Sequence, residues 1–232
     1  MPPRSRVKHD TRIIVAAPRP AKHVMDPELW AEGRSKIAEA ALPLFLKYGY
    51  HATPVRVIAQ AARISSGSIF NYFSGKDEIL QHILEASQAE AERAVHETQK
   101  TLAASHGMKP REVFLQVFRR YAESIDSIRR YALLAYQETK SLTPQQRAPL
   151  LDREKRIADL LKAAAEPGIR AGVFTRDALD LRVHSLIVLA HAWAVRHWAW
   201  TQYPTISEYL DDLQQIALAI MSRPAAGARR QA

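Results

Sequence analysis

Residues 53–76 constrain the fold more than any other part of the chain, because they predict two short helices joined by a tight turn. The segment opens with Thr-Pro, a dipeptide suited to cap a helix and to occupy its first position. Apolar residues then recur with helical spacing over residues 55–62, which gives this helix one face for burial. The pattern breaks at Arg63, and Ser65 is a good cap for a second helix.

The second short helix has an uncharged outward face that suits DNA. Ile69 and Phe73 lie four residues apart and mark its buried side. The other side carries small polar and aromatic residues, namely Ser66, Gly67, Ser68, Phe70 and Asn71, with Tyr72 beside them. Such groups can contact base edges and thymine methyls in the major groove. No Asp or Glu occurs from residue 40 to residue 75, so no carboxylate there would repel phosphate. The alternative is an ordinary helical hairpin with Phe70 and Tyr72 in its core.

Residues 34–80 resemble the N-terminal DNA-binding domain of the tetracycline-repressor (TetR) family. The shared landmarks keep their order and spacing without a gap: Ala40–Ala41, Leu44–Phe45, Gly49–Tyr50, Thr53, Ile58–Ala59, Ala62, Ser65, Gly67, Ile69, Tyr72–Phe73, Lys76 and Leu80. The resemblance implies an all-α fold. Three helices would form a helix-turn-helix domain, and six more would form a domain for effector binding and dimerisation.

The resemblance also implies roles for individual residues. Phosphate contacts are expected at Thr53, Tyr72 and Lys76, base reading at Ser66, Ser68, Phe70 and Asn71, and close backbone approach at Gly67, with Arg63 and Ser65 in the adjoining turn. Two residues depart from the family pattern: Arg63 replaces a usual glycine, and Phe70 replaces a usual tyrosine. Arg63 would either add a phosphate contact or strain the turn. Pro43 falls inside the first long helix, where we expect a bend.

Charge and composition divide the chain into four segments. Of the net charge of +9, +5 lies in residues 1–25 and +3 in residues 223–232, which leaves +1 for the rest. We therefore expect a disordered basic arm over 1–25, a DNA-binding domain over 26–75, an effector and dimerisation domain over 76–222, and a disordered basic tail over 223–232. The arm either adds nonspecific attraction to DNA or has no role.

The absence of cysteine and of long apolar runs bounds the setting of the protein. Without cysteine there is no thiol or disulfide chemistry, which suits the cytoplasm. No apolar run reaches 18 residues, so no membrane span is expected.

The helix predicted over 176–202 is apolar nearly all round, so it should be buried on two sides. The resemblance implies that this helix and the last one form a four-helix bundle with a second subunit. The dimerisation residues would be Leu186, Leu189, Trp193, Leu213, Ile216 and Ile220. The alternative is a central helix in the core of a monomer.

Aromatic residues of the C-terminal domain are candidates for an effector cavity. The candidates are Phe114, Phe118, Tyr121, Tyr136, His191 and Trp193, although such stripes more often form plain core. The resemblance suggests a small hydrophobic effector, such as an acyl thioester or an aromatic acid. Asp180, His184 and His191 share a helix face and form a weak metal candidate, but ordinary surface or interface histidines are the favoured interpretation. We expect no metal and no cofactor.

The leading hypothesis is a ligand-responsive repressor that binds a palindromic DNA operator as a homodimer. A transcriptional activator with the same DNA-binding head, and a nonspecific nucleic-acid-binding protein that uses its basic tails, are the alternatives. An all-helical enzyme is disfavoured, because the chain offers no evident nucleophile and base pair and no glycine-rich phosphate loop.

Overall fold

The computed structural model describes residues 26–138, 140 and 142–222, so the predicted arm and tail lie outside the described residues. Within these ranges there are nine α-helices: α1 (Pro27–Tyr48), α2 (Val55–Ala61), α3 (Ser66–Ile69), α4 (Lys76–Ala104), α5 (Pro110–Ser127), α6 (Arg129–Glu138), α7 (Pro144–Arg170), α8 (Leu179–Val195) and α9 (Ile206–Met221). A short 3₁₀ turn, His197–Ala199, follows α8. The β-structure of the described ranges is one isolated bridge between Phe174 and Ser222. The prediction of an all-α fold is confirmed.

The start of α1 follows the sequence signals, whereas the start of α2 does not. The Asp26 side chain accepts the Glu28 N–H and caps α1, which then continues through Pro43 as one assigned helix. The expected cap of α2 by Thr53 is wrong, because α2 begins at Val55 without a side-chain cap. The Thr53 hydroxyl instead donates to the Gly49 carbonyl, 2.8 Å away at the end of α1.

Two hydrophobic cores share helix α4. The N-terminal core is formed by α1, α2, α3 and the first turns of α4, and it also takes in Leu134 of α6 and Leu142. The C-terminal core is formed by the rest of α4 with α5, α7, α8 and α9. Ile79, Leu80, Ile83 and Leu84 of α4 thus belong to the N-terminal core, so one continuous helix joins the two cores.

Tyr50 lies where the N-terminal domain meets the rest of the molecule. Its backbone N–H donates to the Glu138 carboxylate at the end of α6, at 3.1 Å. Its hydroxyl is hydrogen-bonded to Asp77, and its carbonyl accepts the Lys76 ammonium at 2.7 Å. Burial and the Asp77 hydrogen bond raise the pKa of the Tyr50 phenol. The N-terminal domain is therefore attached to the C-terminal domain through both α4 and α6.

His191 connects α8 to α5 and α6 from within the C-terminal domain. Its Nε2 lies 2.9 Å from the Tyr121 hydroxyl, and its Nδ1 lies 2.7 Å from the Tyr136 hydroxyl. Burial, followed by the nearby charges of Arg153 and His184, lowers the pKa of His191 to about 4. The imidazole is thus neutral near pH 7, with one ring nitrogen donating and the other accepting.

Arg63 adopts a left-handed backbone conformation in the turn between α2 and α3. Its φ is +58°, in a region that glycine enters freely and that L side chains rarely adopt. The guanidinium lies at an exposed position, so no burial offsets this backbone strain. The turn is thus strained where the family resemblance expects glycine.

We expect Arg63→Gly to stabilise the fold by about 1 kcal/mol, because glycine relieves the left-handed strain. For a chain of this size that corresponds to a rise in the melting temperature of about 2–4 °C, measurable by circular dichroism. Arg63→Ala removes the same guanidinium but keeps the strained φ, so it should not stabilise. Equal melting temperatures for the two variants would show that the turn is not strained.

The low pKa of His191 predicts a loss of stability in mild acid. Its folded pKa of about 4 lies below the ordinary 6.5, so below pH 6.5 the unfolded chain gains a proton that the folded protein excludes. The contribution of His191 to the free energy of unfolding is therefore fully present above pH 6.5 and is lost as the pH falls towards 4. Between pH 7 and pH 5, wild type should lose about 2 kcal/mol more unfolding free energy than His191→Gln.

Urea titrations at both pH values measure this difference. His96→Gln is the control, because His96 is exposed on α4 and its loss should leave the wild-type pH dependence intact. If His191→Gln loses as much stability as wild type, then His191 is not held neutral.

Candidate DNA-binding surface and effector cavity

The outward side of the second short helix is exposed, as a DNA-reading face requires. Helix α3 covers only Ser66–Ile69, and Phe70 and Asn71 follow it in a turn. Phe70 is 60% exposed although it is a large aromatic residue, while Ile69 and Phe73 are buried beneath it. A hairpin with Phe70 in its core is therefore wrong. Base reading by this face stays a prediction.

The residues expected at this face differ in how freely they could contact DNA. Those with exposed side chains or backbone are Arg63, Ser65, Ser66, Gly67, Phe70 and Asn71. Ser68 is partly buried, and its hydroxyl lies 2.7 Å from that of the helix cap Ser65. Tyr72 is half-buried, and its ring packs so closely on Gly33 that a Cβ there would lie 2.2 Å from it. Ser68 and Tyr72 thus make contacts within the protein that leave them less free to contact DNA.

Two of the expected phosphate contacts have structural partners inside the protein. Thr53 is 1% exposed and its hydroxyl is bonded to Gly49, so it cannot reach a phosphate, and this expectation is corrected. The Lys76 ammonium donates to the carbonyls of Tyr50 and His51, at 2.7 and 3.1 Å. An ammonium has three N–H donors, so one of them is still available for an anion.

Arg34 of α1 joins the segment after α3 to the first turn of α4, a role that the sequence did not indicate. One guanidinium nitrogen donates to the Tyr72 carbonyl at 3.0 Å and to the Glu78 carboxylate at 2.7 Å. The guanidinium also lies over the Phe73 ring, 4.2 Å from its centroid. The backbone N–H of Ser74, and then Arg34, lower the pKa of Glu78 to about 2. Residues this far apart in sequence give no local signal of such a contact.

A cavity of about 310 Å³ lies among helices α4 to α8. Three of the expected effector residues, Tyr121, Tyr136 and His191, line it. The other three do not: Phe114, Phe118 and Trp193 are at most 2% exposed in the C-terminal core, and this expectation is corrected. Trp193 also donates its indole N–H to Asp126, at 2.7 Å. Sequence reasoning missed the charged residues that line the α7 wall, which are Arg147, Arg153 and Glu154.

The polar groups of the cavity suit a largely apolar ligand with a polar end. Most of the wall is apolar, with Val95, Ile125 and Ile157 among its residues. Such a lining with a few polar groups is typical of small-molecule sites, and the volume is at the lower end of their usual range of about 300–1,000 Å³. The cavity can therefore hold a small hydrophobic molecule.

Large apolar side chains are exposed on α8 and on the segment and helix that follow it. Leu181, Val188, Trp198 and Ile216 are exposed by 66%, 49%, 74% and 48%. Of the residues expected at a dimer interface, Ile216 is exposed and Leu189 and Ile220 are partly buried. The expectation for three others is corrected, because the protomer's own core buries Leu186, Trp193 and Leu213. Because α8 is apolar nearly all round, its sequence does not reveal which side of the helix faces the core of its own protomer.

The weak metal candidate is not assembled in the structure. The Asp180 carboxylate accepts the Lys162 ammonium at 3.1 Å, and His191 is held between two tyrosines. In the described part of the chain, no three His, Cys, Asp or Glu side chains are grouped so as to hold a metal ion. None of the described helices is both long and apolar enough to span a bilayer.

Comparisons with known proteins agree with this arrangement of a small N-terminal helical domain and a larger C-terminal one. A family model described as "Bacterial regulatory proteins, tetR family" matches residues 37–83. A second, described as "Tetracyclin repressor-like, C-terminal domain", matches residues 107–200.

Individual proteins give the same result. The chain is 31% identical over 194 residues to the transcriptional regulator HbdR of Aromatoleum sp. (strain CIB), covering 82% of this chain and 80% of HbdR. Its fold is similar to that of the ketosteroid transcriptional regulator KstR2 of Mycobacterium tuberculosis, with a TM-score of 0.67, 22% identity, and coverage of 89% of this chain and 100% of that one. It is also similar to AibR in complex with isovaleryl coenzyme A and operator DNA, with a TM-score of 0.62, 17% identity, and coverage of 79% and 97%.

The exposed helix-turn-helix face, the helical domain with its cavity, and these matches lead to one conclusion: the chain belongs to the TetR family of transcriptional regulators.

Proposed function

We propose that this regulator is a repressor that binds a palindromic operator as a homodimer and is released by a small hydrophobic effector. The observation that carries the proposal is the shared use of α4 and α6. Both helices line the cavity, and both also contribute residues to the N-terminal core that supports the reading face. A molecule in the cavity can therefore act on the DNA-binding head without touching DNA.

Helix α6 supports this coupling most directly. Ala132, Ala135 and Tyr136 on one side of it line the cavity. On the other side, Leu134 is fully buried in the N-terminal core, and the Glu138 carboxylate accepts the Tyr50 N–H. The ten-residue α6 thus carries both cavity-lining residues and residues bound to the head, so a shift of α6 on ligand binding would be transmitted to the head. The coupling is reciprocal, so operator DNA would weaken effector binding by the same factor.

The exposed apolar surface on α8 and α9 supports a homodimer. Large apolar side chains exposed together commonly mark an interaction surface. A two-fold dimer would present two reading faces, which must enter major grooves about 34–36 Å apart or a multiple of that distance. An effector that changes this spacing would lower operator affinity.

The cavity and one similar protein support a class of effector. The cavity is small and mostly apolar, and the similar protein AibR binds isovaleryl coenzyme A. An acyl thioester or an aromatic acid is accordingly our proposed effector class. An activator with the same head remains an alternative, and a reporter gene placed behind the operator separates the two by the sign of its response.

We expect Asn71→Ala to weaken binding to the true operator by roughly 5- to 100-fold and to leave binding to random DNA nearly unchanged. Asn71 is exposed beside Phe70, where its amide could bond a base edge. A footprint on the promoter region of the chain's own gene would locate the operator, and fluorescence anisotropy would measure both affinities. Equal losses on both DNAs would exclude Asn71 from base reading.

Lys76→Ala is the contrasting variant, because a phosphate contact should weaken binding to every sequence. The slope of log affinity against log salt should fall by about one unit. Lys100→Ala is the matched control, since Lys100 lies 24 residues further along α4, about 36 Å away from Lys76. A slope that is unchanged by Lys76→Ala would limit Lys76 to its bonds with Tyr50 and His51. Uniform protection of all DNA would favour nonspecific binding by the tails.

We expect Val188→Arg to convert the dimer to a monomer, because a guanidinium would be desolvated without a partner in the interface. Size-exclusion chromatography with light scattering measures the mass directly. Leu29→Arg is the control, since it places the same charge on an exposed apolar residue of α1. A Val188→Arg protein that remains dimeric would locate the interface elsewhere.

A further inference from the structure

Arg153 is a cavity-lining cation whose guanidinium forms no hydrogen bond or ion pair with the residues that the structure describes. It lies on α7 and is partly buried, and the described residues give its guanidinium no hydrogen bond and no ion pair. The neighbouring cavity arginine differs, because Arg147 donates to the Leu142 carbonyl at 3.2 Å. Arg156, one turn further along α7, is paired with Glu92 and Asp152. Of these three arginines, Arg153 alone makes no such contact.

The acids nearest to Arg153 do not neutralise it by direct contact. Glu92 is bound by both terminal nitrogens of Arg156. Glu154 lines the same cavity but is exposed to solvent. Burial lowers the pKa of Arg153, whereas Glu92, Tyr121 and Glu154 raise it. A partly buried guanidinium without a paired carboxylate destabilises a protein unless something else pairs with it.

The imidazole and the two phenols that line the cavity, those of His191, Tyr121 and Tyr136, are neutral. His191 is uncharged near pH 7, since its pKa is about 4. Burial raises the pKa of the Tyr121 and Tyr136 phenols, so both keep their protons. Among the groups that line the cavity, positive charge therefore comes from Arg147 and Arg153, and within the described ranges the Arg153 guanidinium donates to no other residue.

We propose that the cavity takes a hydrophobic anion whose carboxylate or phosphate oxygens pair with the Arg153 guanidinium. The hydrocarbon part of the ligand packs against the apolar wall, which includes Val95, Ile125 and Ile157. Arg153 is then the residue that selects for charge, because its planar fork fits two anionic oxygens at once. This assignment rests on the proposed function, in which the cavity is the effector site.

The experiment uses the full chain, isothermal calorimetry and matched pairs of probes. Hexanoate, octanoate and decanoate are each compared with the corresponding primary amide, and octanoyl coenzyme A forms a third arm. Anions should bind wild type, and each acid that binds should do so roughly 10- to 100-fold more tightly than its amide. Arg153→Gln should abolish this preference, and Arg153→Lys should restore part of it.

Glu154→Gln is the matched control, because it changes the opposite charge at the next position of the same wall. It should tighten the binding of the anion a few-fold, whereas Arg153→Gln weakens it. Arg153-dependent binding by the free acids identifies a carboxylate as the anion. Arg153-dependent binding by octanoyl coenzyme A alone identifies a phosphate.

Three results would overturn the assignment. The first is that none of the anions binds, and the second is that Arg153→Gln binds them all with unchanged affinity. The third is that acids and amides bind equally well while octanoyl coenzyme A binds wild type and Arg153→Gln equally well. Operator binding without ligand separates this test from the proposed function. That binding should be the same in wild type and Arg153→Gln, and failure of wild type to discriminate the operator would refute the repressor instead.

Discussion

The contacts of Tyr50 are the constraint on which the rest of the molecule depends. This residue lies between α1 and α2, yet its backbone and side chain are bonded to the start of α4 and the end of α6. Its ring is packed edge-on against Phe45 of the N-terminal core. A buried carboxylate such as Glu138 is tolerated only where it is hydrogen-bonded, so its bond to the Tyr50 N–H holds the last residue of α6 against the head. The position of the head relative to the C-terminal domain is thus set by polar bonds as well as by apolar burial.

This junction explains how a ten-residue helix can connect two sites. Side chains at i and i+4 lie on one face of a helix, so Leu134 and Glu138 face the head together. Ala132, Ala135 and Tyr136 lie on other faces and line the cavity, whereas Tyr131 both lines the cavity and packs against the N-terminal core. One side of α6 is thus packed in the N-terminal core and the other side lies at the cavity, so a shift of α6 would disturb its contacts with the head. The hydrogen bond between His191 and Tyr136 extends this connection, because it joins α8 to α6.

The sequence predicted the local features of the DNA-binding head well and the cavity poorly. Helical spacing placed Ile69 and Phe73 inside and Phe70 outside, because a short helix on a core has only one buried side. The same spacing could not separate Tyr121, which lines the cavity, from Phe118 three residues earlier, which is core. Both lie on the apolar side of α5, and only the packing of α6 and α7 decides which of them meets empty space. Arg153 gave no signal, because a charged residue on a helix usually faces solvent.

The sequence by itself, through its resemblance to the family, determined the all-α class and the order of the helices, and its residue spacing and absence of acids determined the uncharged outward face of residues 66–71. It also marked Arg63 as a departure in the turn, although only the backbone showed that the departure is a left-handed φ. The tertiary structure alone decided the partners of Thr53, Arg34 and Glu138, the apolar face of α8 that stays exposed, and the charge at the cavity wall. Those features depend on side chains that lie tens of residues apart, and their pairing is fixed only when the helices pack.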